Sequence, residues 1–208
     1  PRRCAFSMTN AKPAVMDADR LASDLSEGVV AVIPTDTVVG LAVTPARALN
    51  IWSLKRRPAH KPLILMGAST EALLEHVLRV CHSDARAVAE RFWPGALTLV
   101  LPSDGRVQDA LNPGVRTLGV RVPACPLSLN LLERSGPLAT SSANPSGEPA
   151  ATTALMAARY FPDLPQLGPQ PWPQPSGQAS TVMTWDGPGQ WRVLRRGALM
   201  PIPLETLD

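Results

Sequence analysis

The 208-residue sequence predicts a single α/β domain in which helices pack against a mixed sheet. Short apolar runs, such as VVAVIP at 29–34 and LTLVL at 97–101, alternate with segments whose apolar residues recur at helical spacing. Hydrophobic residues make up 45% of the chain and charged residues 18%. A chain of this composition and length buries a substantial core without disulfides or structural metals.

The first half of the chain contains two predicted helix and strand pairs. Ala18, Leu21 and Leu25 repeat at helical spacing, with Asp17 as a cap before them and Gly28 as a stop after them. The β-branched run Val29 to Pro34 predicts a buried strand. A second helix from Ala48 to Lys55 and a second buried strand from Pro62 to Met66 follow.

The second half continues the alternation. Helical patterns at 70–80 and 83–92 precede the strand at 97–101. The later segments are a strand at 117–123, a helix at 125–136 that Gly136 closes, a strand at 137–141, a helix at 154–161 and two closing strands at 180–185 and 190–196.

Proline accounts for 23 of the 208 residues, about twice the ordinary share of roughly 5%. Six prolines lie in PDLPQLGPQPWPQP at 162–175. Proline lacks an amide proton and restricts the residue before it, so this segment is predicted to be an extended surface loop outside the core. A PxxP ligand is the alternative.

The formal net charge of +3 and a pI near 9.1 permit an anionic partner without requiring one. Cys4, Cys81 and Cys125 lie far apart and show no metal-ligand spacing, so we expect neither a disulfide framework nor a zinc site. No apolar stretch is long enough to cross a membrane, and the first residues lack a secretory pattern. We therefore expect a cytoplasmic protein without a membrane partner.

A basic cluster joins the second helix to the second strand. IWSLKRRPAHKP, at 51–62, ends an apolar helical pattern with Lys55, Arg56, Arg57, His60 and Lys61. One or two cations would complement the helix dipole, whereas five side by side repel one another unless an anion is bound. No GxxxxGK[ST] loop is present, so a phosphate site here would depend on side-chain cations.

Polar residues also follow two predicted strands. PTDT at 34–37 and SSAN at 141–144 are placed where α/β sheets commonly form binding crevices, although each would also suit an ordinary turn or helix cap. Arg121 and Arg195 stand inside strand patterns, where an arginine is either exposed on an edge strand or engaged in a bidentate anion contact.

Seven motifs in order resemble the threonylcarbamoyl-AMP synthase family, whose members share the YrdC-type domain. They are PTDTVVGL, KRRPAHKPL, FWPGALTLVL, GVRVP, SSANPSG, STV and LRRG. The resemblance extends from about Ala14 to Leu199 and implies one YrdC-like domain over 1–208 in a short, single-domain form. It further implies a twisted α/β sheet with a large basic concave cleft.

For activity, the resemblance implies that L-threonine, bicarbonate or CO2, and ATP condense to threonylcarbamoyl-AMP and pyrophosphate. A separate transferase complex would then move the threonylcarbamoyl group to tRNA. Mg²⁺ is expected to accompany ATP by bridging its phosphates.

The resemblance also implies site residues. Lys55 and Arg57 are expected to be catalytic, as cations that neutralise the triphosphate and its pyrophosphate leaving group. Positions that match the family's ATP contacts are Lys55, Arg57, Lys61, Thr117, Ser142, Asn144 and Arg195. Positions that match its threonine contacts are Thr35, Arg121, Ser141 and Ser180. No residue is assigned to a protein-bound metal.

The chain departs from the family's pattern at three places. Val39 replaces a usual aromatic residue, which we expect to remove a stacking wall. Met66 stands where some members have a histidine that contacts threonine. The segment before STV, within 162–179, is rich in proline instead of glycine and acidic residues.

Two other functions are open. A non-catalytic module that binds tRNA or double-stranded RNA would use the same basic residues, although aromatic stacking residues are few. Carbamoyl transfer of the hydrogenase-maturation type is the second, and the chain lacks the fused segments found in such proteins.

Overall fold

A computed structural model describes residues 13–56 and 61–199. Its strands are β1 (Val15–Met16), β2 (Ala31–Ile33), β3 (Gly40–Val43), β4 (Ile64–Met66), β5 (Leu97–Pro102), β6 (Thr117–Arg121), β7 (Leu138–Ser142), β8 (Gln166–Leu167), β9 (Thr181–Gly187) and β10 (Gln190–Arg195). Its α-helices are α1 (Ala18–Ser26), α2 (Leu49–Lys55), α3 (Thr70–Leu74), α4 (His82–Phe92), α5 (Arg106–Leu111), α6 (Pro126–Ser135) and α7 (Ala154–Tyr160). Short 3-10 turns lie at Pro45–Arg47 and Arg79–Cys81.

The strands of the described residues form one mixed sheet in the order β1-β8-β2-β3-β7-β4-β6-β5-β9-β10. The pairs β1/β8, β2/β8, β4/β6 and β5/β9 are parallel, and the other neighbours are antiparallel. The predicted α/β architecture around a mixed sheet is therefore confirmed.

The two faces of the sheet bury separate apolar clusters because successive side chains of a strand point to opposite faces. Val32 and Leu65 belong to the larger cluster, which α2, α3, α4, α5 and α7 cover. Ile33 and Met66, their neighbours in sequence, belong to the smaller cluster, which α1 and α6 cover. Of the described helices, α1 and α6 pack on this second face, and a cavity lies on the same face.

The helix signals at the chain's best-marked boundaries are confirmed. The Asp17 carboxylate accepts the Arg20 amide at 2.8 Å, which caps α1. Gly136, with φ of 73°, ends α6 in a conformation that favours glycine.

The helix predicted over 70–80 is wrong beyond Leu74. Leu78 is extended and its amide donates to the carbonyl of Pro102 at 2.8 Å, so the chain is tied to the end of β5 instead of continuing the helix. Tertiary hydrogen bonding here overrides a local helical pattern.

The prediction that the proline-rich segment stays outside the core is also wrong in part. Gln166 and Leu167 are buried and form β8 between β1 and β2. The Pro165 carbonyl accepts the Val32 amide at 2.9 Å, and the Gln166 amide donates to Ala14 at 2.8 Å. Proline lacks only the donor, so a proline beside this short strand still serves the ladder as an acceptor.

Three further elements carried too little signal to be predicted, and the first is the two-residue strand β1. β3 follows the polar PTDT directly, yet it pairs with both β2 and β7 and so joins the two halves of the sheet. α5 is a six-residue helix between β5 and β6. The two closing strands are confirmed as the antiparallel pair β9 and β10.

Candidate active site

A cavity of about 130 Å³ lies on the second face of the sheet, beyond the cover of α1 and α6. Thr140 and Ser142 follow the buried Leu138 at every second position of β7, so all three project from one face. Thr140 lies opposite Ile64 on β4, and Met66 lies beside Arg121 on β6. The residues that line the cavity are Thr35, Thr37, Val38, Gly40, Pro62, Ile64, Met66, Arg121, Thr140, Ser141, Ser142, Ala179, Ser180 and Arg195.

Six of the positions predicted to contact a substrate line this one cavity. They come from the loop after β2, from β6, β7 and β10, and from the residue before β9, and they are Thr35, Arg121, Ser141, Ser142, Ser180 and Arg195. All four positions predicted to contact threonine are among them. The sheet thus brings together side chains separated by as many as 160 residues in sequence.

Lys55 and Asn144 lie next to this cavity. Lys55 is 1% exposed, and its ammonium donates to the carbonyl of Asn144 at 2.6 Å, to Asn144 Oδ1 at 3.3 Å and to the carbonyl of Ser142. Ser142 Oγ donates to Asn144 Oδ1 at 2.6 Å. Lys55 therefore holds the turn after β7, and Ser142 connects that turn to the cavity wall.

Lys55 points inward because it shares the buried face of α2 with Ile51 and Trp52, and the helix ends directly after it. Arg56 closes the helix in the left-handed conformation, with φ of 48°. A non-glycine residue in this region is uncommon and turns the backbone away from the helix axis. Arg57 lies outside the described residues, so its predicted role is not addressed.

Arg121 is 2% exposed and engaged on three sides. Its Nε donates to the Gly95 carbonyl at 2.9 Å, one terminal nitrogen to Thr37 Oγ1 at 2.9 Å and the other to Asp36 Oδ1 at 2.7 Å. Burial lowers the pKa of Arg121, and the Asp36 carboxylate opposes that effect. The net charge of the Arg121–Asp36 pair is therefore close to zero, and Arg121 still lines the cavity.

Thr35 satisfies its hydroxyl locally. Its Oγ1 donates to the Val38 carbonyl at 2.6 Å and accepts the amides of Thr37 at 3.2 Å and Val38 at 3.3 Å. The alternative interpretation of PTDT as a turn is therefore correct for this side chain. Thr35 nevertheless lines the cavity, so its predicted contact with threonine stays a prediction.

Arg195 and Ser180 form the opposite wall. The Arg195 guanidinium donates to the Ser180 carbonyl from Nε at 3.3 Å and from a terminal nitrogen at 2.9 Å. Burial lowers the pKa of Arg195. In the part of the chain that the structure describes, no ion pair includes Arg195, so its charge remains available to an anion in the cavity. Thr98, buried behind the wall, hydrogen-bonds Ser180 Oγ at 2.8 Å.

Four of the described residues that were predicted to contact ATP do not line the cavity: Lys55 and Asn144, which lie next to it, and Thr117 and Lys61. Thr117 starts β6, four residues before Arg121, and its Oγ1 accepts from Asn112 Nδ2 at 3.3 Å. Lys61 is exposed beside Pro62, which does line the cavity, and its carbonyl accepts from Trp52 Nε1 at 3.0 Å.

The interpretation of Val39 as a lost stacking wall is wrong. Val39 is 2% exposed and packs in the larger apolar cluster, while its neighbour Val38 lines the cavity. The alternation of a chain entering a strand turns these two side chains to opposite sides. Met66, the second departure, does lie on the cavity wall.

Sequence reasoning missed several lining residues, and strand periodicity could have found two of them. Thr140 stands two residues before Ser142, and Ile64 two before Met66, so each shares the face of a residue that had been singled out. Thr37 belongs to the PTDT segment that the sequence had marked, although not as a contact, and Ala179 carries no comparable signal.

Among the described residues, no helix is both long and apolar enough to span a membrane. The same part of the chain holds no group of three or more His, Cys, Asp or Glu side chains arranged to bind a metal ion.

Comparison with known proteins gives several curated relatives. The threonylcarbamoyl-AMP synthase of Pyrococcus abyssi is 41% identical over 141 residues, which are 66% of this chain and 41% of that protein. The enzyme of the same name from Bacillus subtilis is 40% identical over 138 residues, 62% of this chain and 39% of that protein. The one from Saccharophagus degradans is 38% identical over 141 residues, 66% of this chain and 73% of that protein. The chain thus spans about two fifths of the length of the first two relatives.

Solved structures share the fold. The structure of P. abyssi Sua5 complexed with L-threonine matches with a TM-score of 0.80 and 34% identity, over 88% of this chain and 54% of that one. Escherichia coli YciO matches with a TM-score of 0.70 over 90% of this chain and 95% of that one, and at 21% identity this likeness concerns the fold alone.

A family model extends this relationship across most of the chain. The Sua5/YciO/YrdC model, described as "Telomere recombination", matches residues 23–197, a range that includes every position assigned to the candidate site. The chain belongs to the Sua5/YciO/YrdC family.

Proposed function

We propose that this chain condenses L-threonine, bicarbonate or CO2, and ATP to threonylcarbamoyl-AMP and pyrophosphate. The observation that carries the proposal is the convergence of Arg121, Arg195 and the serines of β7 on one small cavity. The relatives named threonylcarbamoyl-AMP synthase support it, as does the relative whose structure contains L-threonine.

The reaction brings two anions together, the carbamate formed from threonine and the triphosphate of ATP. The threonine amine attacks CO2 and loses a proton to give a carbamate, and a carbamate oxygen then attacks the α-phosphorus of ATP. The bond from that phosphorus to the bridging oxygen of the β-phosphate breaks, and pyrophosphate leaves. Because like charges approach, the site must supply fixed positive charge and hold both reactants in line.

The cavity residues suit these tasks. Arg121 would bind the threonine carboxylate through its remaining N–H groups, since an arginine carries five and three hydrogen bonds are already made. Arg195 would face the phosphates, with Lys61 near the entrance and Ser142 and Asn144 at the end of β7. Lys55 is buried beneath the turn after β7, so its charge would stabilise the triphosphate through that turn without touching it, and Arg57 would neutralise charge on the triphosphate.

Magnesium would enter with ATP as part of the substrate, bound by the phosphates. The side chains around the cavity do not supply a carboxylate set for a resident ion, since Asp36 is paired with Arg121. We therefore assign the charge stabilisation to the arginines and lysines and to the ion that ATP brings.

The product would serve a separate transferase complex that modifies tRNA, and we expect this reaction in the cytoplasm. This chain would then need to contact the transferase complex, but it would not need to bind RNA stably. A basic surface that binds tRNA or double-stranded RNA without chemistry would instead show affinity that falls steeply with salt.

The test is pyrophosphate release from MgATP, measured with threonine and bicarbonate each omitted in turn. We expect release only when both are present, with serine a poor substitute because it lacks the methyl group. Salt-sensitive RNA binding without threonine-dependent release would contradict the proposal. Turnover with carbamoyl phosphate in place of threonine and bicarbonate would favour the hydrogenase-maturation type of reaction.

A further inference from the structure

The guanidinium of Arg121 is fixed by a residue that lies outside the cavity. Asp36 Oδ1 accepts from Arg121 at 2.7 Å and from the Ala124 amide, just before α6, at 3.0 Å. Asp36 does not line the cavity, whereas Arg121 does. A ligand in the cavity would therefore touch the arginine and not the carboxylate.

Asp36 is itself held by a third segment. Its carbonyl accepts the Ser176 amide at 2.9 Å, at the end of the proline-rich stretch. The segment before α6 thus holds the Asp36 carboxylate, and residue 176 holds the backbone of the same residue. This carboxylate has little freedom to move, so the direction in which Arg121 presents its nitrogens is fixed before a ligand arrives.

The Asp36 carboxylate also balances the positive charge of the buried Arg121 side chain. Arg121 is 2% exposed, and a buried guanidinium without a partner would be costly. With Asp36 in place, the arginine can be buried at the cavity wall and still direct its remaining terminal N–H groups to a carboxylate.

We infer that Asp36 is a positioning residue for a carboxylate subsite at Arg121, so that it sets affinity for the amino acid substrate without touching it. This inference rests on the proposed function. It assigns to Asp36 an effect that depends on the ligand's carboxylate, which a purely structural residue would not have.

The experiment compares L-threonine with L-threoninamide, in which a neutral amide replaces the carboxylate. Binding of each is measured by calorimetric titration to the wild-type chain and to the Asp36→Ala variant. We expect the variant to lose about tenfold to a hundredfold in affinity for threonine, the range for hydrogen bonds to charged groups. Affinity for threoninamide is expected to stay within about twofold, because that ligand gains little from the arginine.

Two further variants complete the design. Asp36→Asn keeps an oxygen acceptor but removes the charge, so it tests the inference in a chain that retains the local hydrogen bonds, and we expect an intermediate loss for threonine only. Asp186→Ala is the matched control, because Asp186 pairs with Arg192 on the exposed β9/β10 edge at 2.7 Å. It is expected to bind both ligands as the wild-type chain does.

The outcomes are distinct. The ratio of the affinities for threonine and threoninamide decides between them. If this ratio is above one in the wild-type chain and unchanged in both Asp36 variants, the inference is overturned while the proposed function stands. Equal losses for both ligands would also overturn it, in favour of a general structural effect. A wild-type chain that binds neither ligand would overturn the proposed function, and the inference with it.

Discussion

The two arginines of the cavity differ in how their charge is balanced. Arg121 is buried against Asp36, whereas Arg195 is exposed and, within the described part of the chain, donates to Ser180. Burial lowers the pKa of both. Arg121, which Asp36 holds in one orientation, therefore suits a small carboxylate that must be oriented. Arg195, which has no carboxylate partner among the described residues, suits the negative charge of a phosphate.

We predict that Arg195→Ala raises the KM for ATP by about tenfold or more, as expected for loss of a hydrogen bond to a charged group. Steady-state pyrophosphate release measures it. Arg192→Ala is the control, since that side chain pairs with Asp186 at 2.7 Å on the exposed edge. An unchanged KM for ATP in the Arg195 variant would remove this residue from the nucleotide site.

Lys55 contributes to stability as well as to charge. Its ammonium donates to oxygens of Ser142 and Asn144 in a buried position, so Lys55→Met removes the donor of the Asn144 carbonyl and one of two donors from Asn144 Oδ1 and from the Ser142 carbonyl. We predict a loss of about 1–3 kcal/mol in the free energy of unfolding, together with a loss of turnover.

Urea unfolding measures this loss, with the exposed Lys61→Met as the control for stability. An Lys55 variant that is inactive but fully stable would show that the lysine acts on the substrate alone.

Motifs in the sequence predicted the residue types of the site but not their partners. Asp36 and Arg121 are 85 residues apart, and nothing in either local pattern shows that they pair. Val39 was misjudged because side-chain direction depends on where the strand begins, which periodicity does not fix within one residue. Thr117 was placed in the site by the family resemblance alone; it lies at the opposite end of β6 from Arg121 and does not line the cavity.

At the scale of elements, the long helices were predictable and the short strands were not. α1, α4 and α6 appear within about two residues of their predicted bounds. β8 has two residues and stands among prolines, and β3 has four residues after a polar loop. Such strands exist because neighbouring strands supply their hydrogen bonds, which a local pattern cannot show.

β8 can be tested by truncating its buried side chain. Leu167 is completely buried in the cluster beneath α1 and α6, so Leu167→Ala is predicted to cost about 2–5 kcal/mol in the free energy of unfolding. Leu155→Ala, 65% exposed on α7, is expected to change it by less than about 0.5 kcal/mol. If both substitutions had equal and small effects on the free energy of unfolding, the proline-rich segment would lie at the surface and the prediction would be wrong.

Cys81, at the start of α4, predicts a pH dependence of stability. Burial raises the pKa of its thiol from 9.0 to about 11. The unfolded chain therefore loses this proton more easily, and the stabilisation present below pH 9 is lost as the pH rises to about 11.

Urea unfolding across that range measures the dependence, and Cys81→Ala is expected to reduce the fall in stability. An identical fall in the variant would contradict the prediction.

At the scale of the whole molecule, the candidate site exists because helices cover the two faces of the sheet unequally. Five helices bury one face, while α1 and α6 cover only part of the other among the described residues. The uncovered strand ends carry Thr140, Ser142 and Arg121, and the turn held by Lys55 lies beside them. The basic character of a larger cleft, which the family resemblance implies, stays a prediction.

The most direct measurement is a crystal structure with L-threonine and a non-hydrolysable ATP analogue bound together. The account predicts the threonine carboxylate within hydrogen-bonding distance of Arg121, and the triphosphate between Arg195 and the β7 turn at Ser142 and Asn144. Ligands found instead in the separate hollow between Leu54, Tyr160 and Leu164, with the cavity at Arg121 empty, would contradict it.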